Sequence, residues 1–175
     1  MKKSTIILLI ITVIIICIYI AFEIDLFKAL AITFAITFYH FAMRLLVGYI
    51  YQVKLNNNVS WKSKWFYVSE KEMYLYKIIN VKSWKKFIPT YDSSSFDVKT
   101  KSFEQIVMAM CQAELVHETI MVFSFLPIIA SIWFGSIGVF IITSIISALI
   151  DFIFVILQRY NRPRVIKLLQ LKINK

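Results

Sequence analysis

Three ionisable side chains, Glu114, His117 and Glu118, occur together at the start of a long apolar stretch. On a helix, residues three and four positions apart share one face, so these side chains are expected to point the same way. A histidine beside carboxylates can take up and release a proton near neutral pH. Ionisable groups at membrane depth are costly and usually line a bundle interior or a wet cavity. The cluster is therefore the first candidate site. The alternative is a polar helix start, which explains the glutamates but does not require the histidine.

The composition indicates a membrane protein. Hydrophobic residues make up 59% and aromatic residues 16% of the 175 residues, which is more apolar surface than one small soluble core can bury. The pattern predicts an all-α integral membrane protein with four transmembrane helices, organised as a single membrane domain over residues 1–175. The two cysteines show neither a metal-binding nor a disulfide spacing, and no metal site is expected.

Four apolar runs are long enough to cross a bilayer. They cover about residues 5–22, 27–51, 115–133 and 139–157. The first run lacks a convincing cleavage site and is expected to be a retained signal anchor. A basic and aromatic segment, 52–114, separates the second run from the third, and a basic tail, 158–175, follows the fourth. Ser102 and Gln105 form a capping-box signature that starts the helix leading into the third run, where Pro127 predicts a kink.

The distribution of lysine and arginine predicts the orientation. The N-terminus, the middle segment and the tail hold eighteen of the twenty basic residues, whereas the two opposite turns hold only Lys28. Positive charge favours the inner side, so both termini and the middle segment are expected in the cytoplasm, with the membrane crossed several times. This distribution explains the net charge of +10, and nucleic acid is not an expected partner. For the lysine-rich middle segment, a solvated surface facing lipid headgroups is the simplest explanation.

Arg44 and Asp151 are opposite charges inside the second and fourth runs. Arg44 lies seven residues before Tyr51, and Asp151 lies seven residues before Gln158, so each is roughly 10 Å from the cytoplasmic end of its helix. We predict that they pair, because either charge alone would carry a large desolvation penalty. His40 lies one turn deeper than Arg44 on the same helix face. A structural ion pair and a catalytic role both remain open for the charges, as does a packing role for His40. With the cluster on the third run, three helices are expected to direct polar groups to one region.

The end of the fourth run carries a family resemblance. Residues 158–164 read Gln-Arg-Tyr-Asn-Arg-Pro-Arg and resemble the C-terminal signature of the glycosyl-4,4′-diaponeurosporenoate acyltransferase family. These are membrane enzymes named for the last, acyl-adding step of a bacterial carotenoid pigment. Residues 81–85 are similar to the family's basic segment with a central tryptophan, and residues 113–117 to its Ala-Glu-Leu-Ile-His. The three blocks keep the family's order and approximate spacing over about the second half of the chain.

The resemblance implies transfer of an acyl group to an amphiphilic acceptor, a glycosylated carotenoid or another glycolipid. Such a transfer needs a general base, a donor to the oxyanion and a grip on the phosphate of the donor or leaving group. His117 is the first choice for the base, oriented by Glu114 or Glu118, and His40 is the competitor. Arg44 is the candidate for the oxyanion or a polar head. The predicted substrate-binding residues are Asp151, Gln158, Arg159, Tyr160, Asn161, Arg162 and Arg164. For the three arginines after the fourth run, an ordinary stop-transfer cluster is the alternative.

No bound cofactor is expected, and the acyl donor would be an acyl-CoA or a phospholipid. Cys111 lies on a different helix face from His117, so no activated nucleophile is evident and direct transfer is favoured. Expected partners are membrane lipids and a lipidic acceptor, with a homo-oligomer or a membrane partner as a further option. Two other functions stay open: an acyltransferase for lipoprotein or cell-envelope acceptors, and a non-enzymatic subunit that uses Arg44 and Asp151 to assemble with a partner helix.

Overall fold

A computed structural model describes residues 1–84 and 94–173. The regular structure within these ranges is helical. The α-helices are α1 Lys2–Phe22, α2 Asp25–Leu55, α3 Glu70–Ile78, α4 Val81–Trp84, α5 Phe103–Phe123, α6 Pro127–Phe134 and α7 Ile137–Ile173, with short 3-10 helices at Lys64–Phe66 and Ser94–Phe96. Four stretches are long and apolar enough to cross a membrane: Lys2–Phe22, Asp25–Leu55, Phe103–Phe134 and Ile137–Ile173. The predicted all-α membrane fold with four spanning helices is confirmed.

The third spanning stretch contains a break where the sequence predicted a kink. α5 ends at Phe123, and α6 begins with Pro127. Because proline has no N–H, Pro127 cannot donate to the carbonyl of Phe123 four residues earlier. The N–H of Leu126 and the hydroxyl of Tyr39 donate to that oxygen instead, at 3.1 and 2.9 Å. The break therefore leaves this backbone carbonyl satisfied inside an apolar stretch.

The fourth spanning helix continues beyond the predicted end of its apolar run. α7 extends to Ile173 and includes Pro163 in its interior, so the described part of the basic tail is helical. The helix continues beyond the apolar run because arginine, lysine, leucine and glutamine are all good helix formers, while the membrane span over about residues 139–157 stays a prediction. Asn174 and Lys175 lie outside the described residues.

The chain forms two compact units. Unit 1 contains residues 1–50 and 119–151, and unit 2 contains residues 51–118 and 152–175. In unit 1, large apolar side chains are exposed along α1, α6 and α7, among them Ile20, Trp133 and Ile142. So much contiguous apolar exposure is foreign to a soluble protein and suits a surface covered by lipid. The single membrane domain expected from composition stays a prediction.

Unit 2 has two small apolar cores that connect its loops to α5 and α7. Tyr76, Val81, Ile156 and Tyr160 form one core, and Val59, Phe66 and Cys111 form the other. The segment between the spans is thereby folded into a structured unit. The middle-segment prediction also covered residues 85–93, which lie outside the described residues.

Local capping fixes where the helices of unit 2 begin and end. Ser102 and Gln105 make the reciprocal bonds of a capping box, at 3.2 and 3.0 Å, which confirms the predicted start of α5. At the other junction, Asn57 follows α2 with a φ of 59°, a left-handed conformation that asparagine tolerates. The N–H of Asn57 donates to the Gln112 side chain at 2.6 Å, and Gln112 donates to Gln52 at 3.1 Å. Gln112 thus connects the end of α2 to α5.

Candidate functional site

The predicted site residues fall into two groups, one in each unit. Unit 1 contains His40, Arg44 and Asp151. Unit 2 contains Glu114, His117, Glu118, Gln158, Arg159, Tyr160, Asn161, Arg162 and Arg164. The expectation that three helices direct all of these groups to one region stays a prediction.

Arg44 and Asp151 form a buried ion pair in unit 1. The Nε and Nη2 atoms of Arg44 donate to Asp151 Oδ2 at 3.1 and 2.5 Å, and the two side chains are 15% and 1% exposed. Arg44 also donates to the carbonyl and hydroxyl of Ser147 at 3.2 and 2.8 Å, and to the His40 carbonyl at 3.2 Å. The pairing predicted from equal depth is confirmed, and the guanidinium is satisfied by four acceptors.

A chain of hydrogen bonds leads from this pair to α5. The Ser124 hydroxyl donates to the Ile120 carbonyl at 2.8 Å and lies 3.0 Å from the Ser147 hydroxyl. Since Ser124 has given up its only proton, Ser147 is the donor between the two serines. A continuous series of hydrogen bonds therefore connects α2 and α7 with α5. It runs from Arg44 through Ser147 and Ser124 to the Ile120 carbonyl. Ser124 was not among the predicted site residues.

His40 is the unsatisfied member of the unit 1 group. Its side chain is 5% exposed, yet neither ring nitrogen has a hydrogen-bond partner among the described residues. The buried hydroxyl of Ser144 likewise has no hydrogen-bond partner among the described residues. The imidazole meets the ring of Tyr39 edge-on, with centroids 5.5 Å apart. Buried polar groups without partners are rare and costly, so the two His40 nitrogens keep this residue in consideration as the competing base.

Removing one partner of the Arg44–Asp151 pair is expected to cost more than removing both. Arg44→Ala or Asp151→Ala should each lower the free energy of unfolding by about 3–5 kcal/mol, because the remaining charge is buried without compensation. The double variant Arg44→Met with Asp151→Leu should be much closer to wild type. Thermal unfolding in detergent measures this difference.

The same double variant separates a structural pair from a reactive one. We expect it to keep acyl transfer, as a pair that only holds α2 to α7 would. A well-folded double variant without transfer would place the pair in the reaction.

Glu114 lies at the centre of an arginine network in unit 2. Arg159 donates to Glu114 Oε1 at 2.6 Å, and Arg162 donates to Glu114 Oε2. Arg159 also grips Glu72 with two bonds, at 2.6 and 3.0 Å. Glu114 is 0% and Arg162 1% exposed. Two cations and two carboxylates thus balance each other where single charges would be prohibitive.

The two arginines also hold the backbone of the segment before α3. Arg159 donates to the carbonyls of Trp65 and Tyr67 at 3.4 and 3.0 Å. Arg162 donates to the Phe66 carbonyl at 2.5 Å, and its guanidinium lies 5.1 Å from the centre of the Phe66 ring. Both arginines were predicted to bind a substrate phosphate, but in this structure their donors are engaged by carboxylates and carbonyls. Sequence reasoning missed these partners, since a backbone carbonyl has no side-chain signature.

Glu72, on α3, is a further member of the arginine network, and it was not predicted from the sequence. Burial by itself would raise the pKa of its carboxyl, but the hydrogen bonds from Arg159 and Tyr76 and the charge of Arg159 outweigh burial and lower it. Burial, with the hydrogen bond to Glu72, raises the pKa of the Tyr76 hydroxyl. Glu72 is therefore held as a carboxylate and Tyr76 as a neutral donor. The only sequence signal was a glutamate three residues after Ser69, whose hydroxyl accepts from the Glu72 N–H at 3.2 Å.

His117 and Glu118 lie beside the network on α5. The His117 ring stacks on Phe154, with centroids 4.6 Å apart and planes inclined by 8°. Glu118 Oε2 accepts from the indole N–H of Trp65 at 2.9 Å. The candidate base is thus held by its ring face, and the neighbouring carboxylate is fixed by a tryptophan. That Glu114 or Glu118 orients His117 stays a prediction.

The other residues of the 158–164 block serve mainly within unit 2. Tyr160 is buried in an apolar core, and its hydroxyl accepts from Arg164 at 2.5 Å. The Arg164 guanidinium also lies 4.2 Å from the centre of the Tyr160 ring. Asn161 donates to the Leu157 carbonyl at 2.9 Å, and Gln158 is half-buried. Tyr160 and Asn161, which the sequence predicted to bind substrate, make these hydrogen bonds within α7.

Comparison with known proteins decides the family. The model of the family described as glycosyl-4,4′-diaponeurosporenoate acyltransferase matches residues 58–171, well over half of the chain. The chain belongs to this family. The acyltransferase gives no significant match to a curated protein or to a solved structure.

The family match confirms the resemblance drawn from the three sequence blocks, all of which lie inside it. Lys85, the last residue of the first block, lies outside the described residues. The protein is thus a membrane acyltransferase of carotenoid biosynthesis. The match includes Glu114, His117 and Glu118 and both network arginines, whereas His40 and Arg44 precede it.

Proposed function

We propose that this acyltransferase moves a fatty acyl group onto a hydroxyl of an amphiphilic acceptor, a glycosylated carotenoid or a related glycolipid. One observation carries the site assignment: His117, its neighbouring carboxylates and the arginine network lie together in unit 2 and inside the family match. The family match contains every residue of this group. His40 and Arg44 lie outside that match.

His117 acts as the general base in this proposal. Its imidazole takes the proton of the acceptor hydroxyl while the hydroxyl oxygen forms a bond to the acyl carbonyl carbon. The bond between that carbon and the leaving group then breaks, and the imidazolium returns its proton to the leaving group. Stacking on Phe154 fixes the ring plane, which limits the orientations in which the proton can be taken.

The network around Glu114 positions this histidine. Glu114 lies one helical turn before His117 on α5, and both of its oxygens are engaged by arginines from α7. Glu118, one residue after His117, is held by Trp65. The stretch of α5 that bears the base is therefore anchored on either side of His117. Arg159 and Arg162 are accordingly positioning residues, which replaces the phosphate-binding role expected from the sequence.

The charge distribution supports a cytoplasmic reaction in the bacterial cell membrane. Eighteen of the twenty basic residues belong to the segments that the positive-inside rule assigns to the cytoplasm. An acyl-CoA or a phospholipid can supply the acyl group from that side. Membrane lipids and the lipidic acceptor are the proposed partners.

Lipid analysis tests the proposal. Bacterial membranes that contain the protein and a glycosylated carotenoid should accumulate a species heavier by one fatty acyl chain, and membranes without the protein should lack it. Mass spectrometry of this species identifies both the acceptor and the chain. Acylation of a lipoprotein instead would favour an envelope acceptor. A protein that transfers no acyl group but co-purifies with a membrane partner would favour the assembly role.

A further inference from the structure

A groove in unit 2 lies between the segment before α3 and the last turns of α7. It has a volume of about 600 Å³, and its lining includes Lys62, Lys64 and Lys167. Trp61 and Tyr67 contribute aromatic rings to the wall. A volume of this size is within the range of small-molecule sites, which runs from about 300 to 1,000 Å³.

The groove is strongly basic. No aspartate or glutamate is among its described lining residues. The three lysines are exposed and form no ion pair with any described residue. Arg162 also reaches the lining, but its charge is balanced by Glu114. The positive charge that no carboxylate balances belongs to the lysines, of which Lys62 lies 5.5 Å from the centre of the Trp61 ring. The arginine network fixes the backbone of the wall at residues 65–67.

We propose that this groove binds the phosphorylated head of a soluble acyl donor of the acyl-coenzyme A type. Several free cations around one cavity match a head with several phosphates, whereas a single lipid phosphate needs fewer partners. Lysine is an effective point charge for phosphate, and an aromatic face accepts a nucleobase by stacking. This inference rests on the proposed acyl transfer and identifies its donor. It moves phosphate recognition from Arg159 and Arg162 to the three lysines.

Binding of unacylated coenzyme A to the purified full chain in neutral detergent tests the inference by calorimetry. Wild type should bind coenzyme A, and the affinity should fall as salt is added. The double variant Lys64→Ala with Lys167→Ala should bind about tenfold more weakly or worse. Pantetheine, which lacks the phosphates, should bind far more weakly than coenzyme A.

The matched control is Lys71→Ala with Lys77→Ala, two exposed lysines of α3 that do not line the groove. This variant should bind coenzyme A like wild type. Equal loss in both double variants would overturn the inference, because it would show a general charge effect. Absence of coenzyme A binding by wild type would overturn it too. If the protein then binds phosphatidylglycerol vesicles but not coenzyme A, and this binding requires Lys64 and Lys167, the groove holds a lipid headgroup.

His117→Ala separates this inference from the proposed reaction. The variant should bind coenzyme A normally, since His117 does not line the groove. If the wild-type protein binds coenzyme A but transfers no acyl group, the groove assignment stands and the proposed function is rejected. If the wild-type protein transfers acyl groups without measurable binding of coenzyme A, the groove assignment is rejected and the proposed function stands.

Discussion

His117→Ala is expected to lower the rate of acyl transfer by about 10²–10⁴-fold, the usual contribution of a positioned general base. The acceptor hydroxyl then has no group to take its proton as the carbon–oxygen bond forms. Transfer of a radiolabelled acyl group in membranes measures the loss. His117→Phe refines the test, because an aromatic ring can still stack on Phe154 but cannot accept a proton. It should be as inactive as the alanine variant while unfolding like wild type.

His40→Ala is the matched control for this result. It removes the other histidine of the chain, which is buried in unit 1 and precedes the family match. This variant should retain transfer. An inactive His40→Ala beside an active His117→Ala would move the base to unit 1 and give its unpartnered nitrogens a role in catalysis.

Glu114→Ala is expected to destabilise the protein by about 3–5 kcal/mol, because it leaves the buried Arg162 without its carboxylate. Arg159 keeps its ion pair with Glu72, so its charge remains compensated. Denaturant unfolding in detergent gives the free energy. The loss should appear as early release of the segment around Trp65, because the carbonyl and the indole of Trp65 are both bonded within unit 2.

Glu104→Ala provides the comparison on the same helix. Glu104 is exposed in the first turn of α5, and its removal should change stability by no more than about 0.5 kcal/mol. Equal stability of the Glu114 and Glu104 variants would mean that the arginine network does not hold unit 2 together. A Glu114→Met, Arg162→Met double variant should recover much of the loss, since it removes both buried charges.

Depth and local spacing were predictable from the sequence. The rise of a helix is uniform, so counting residues from the ends of two apolar runs was enough to pair Arg44 with Asp151. The capping box of Ser102 and Gln105 involves neighbours three residues apart and needs no tertiary information. The composition alone established the membrane class.

The partners within unit 2 were beyond sequence reasoning because they depend on tertiary packing. Glu72 and Arg159 are 87 residues apart, and the spacing of Ser69 and Glu72 indicates a helix start rather than a partner for Arg159. Basic residues after an apolar run suggested phosphate binding, which is their common use at a membrane surface. In this structure Arg162, at 1% exposure, is bonded to protein groups, which supports the positioning role proposed above.

Arg159 and Arg162 donate to three successive main-chain carbonyls, at Trp65, Phe66 and Tyr67. The backbone path of this segment therefore does not depend on which side chains it carries. A carbonyl is present whatever residue occupies the position. Tyr67, whose side chain is 72% exposed and lines the groove, can therefore be exchanged without releasing the backbone. The wall of the groove is open to variation on a fixed backbone. With the acyl donor proposed for this groove, substitution at that position would alter donor preference while the fold of unit 2 is kept.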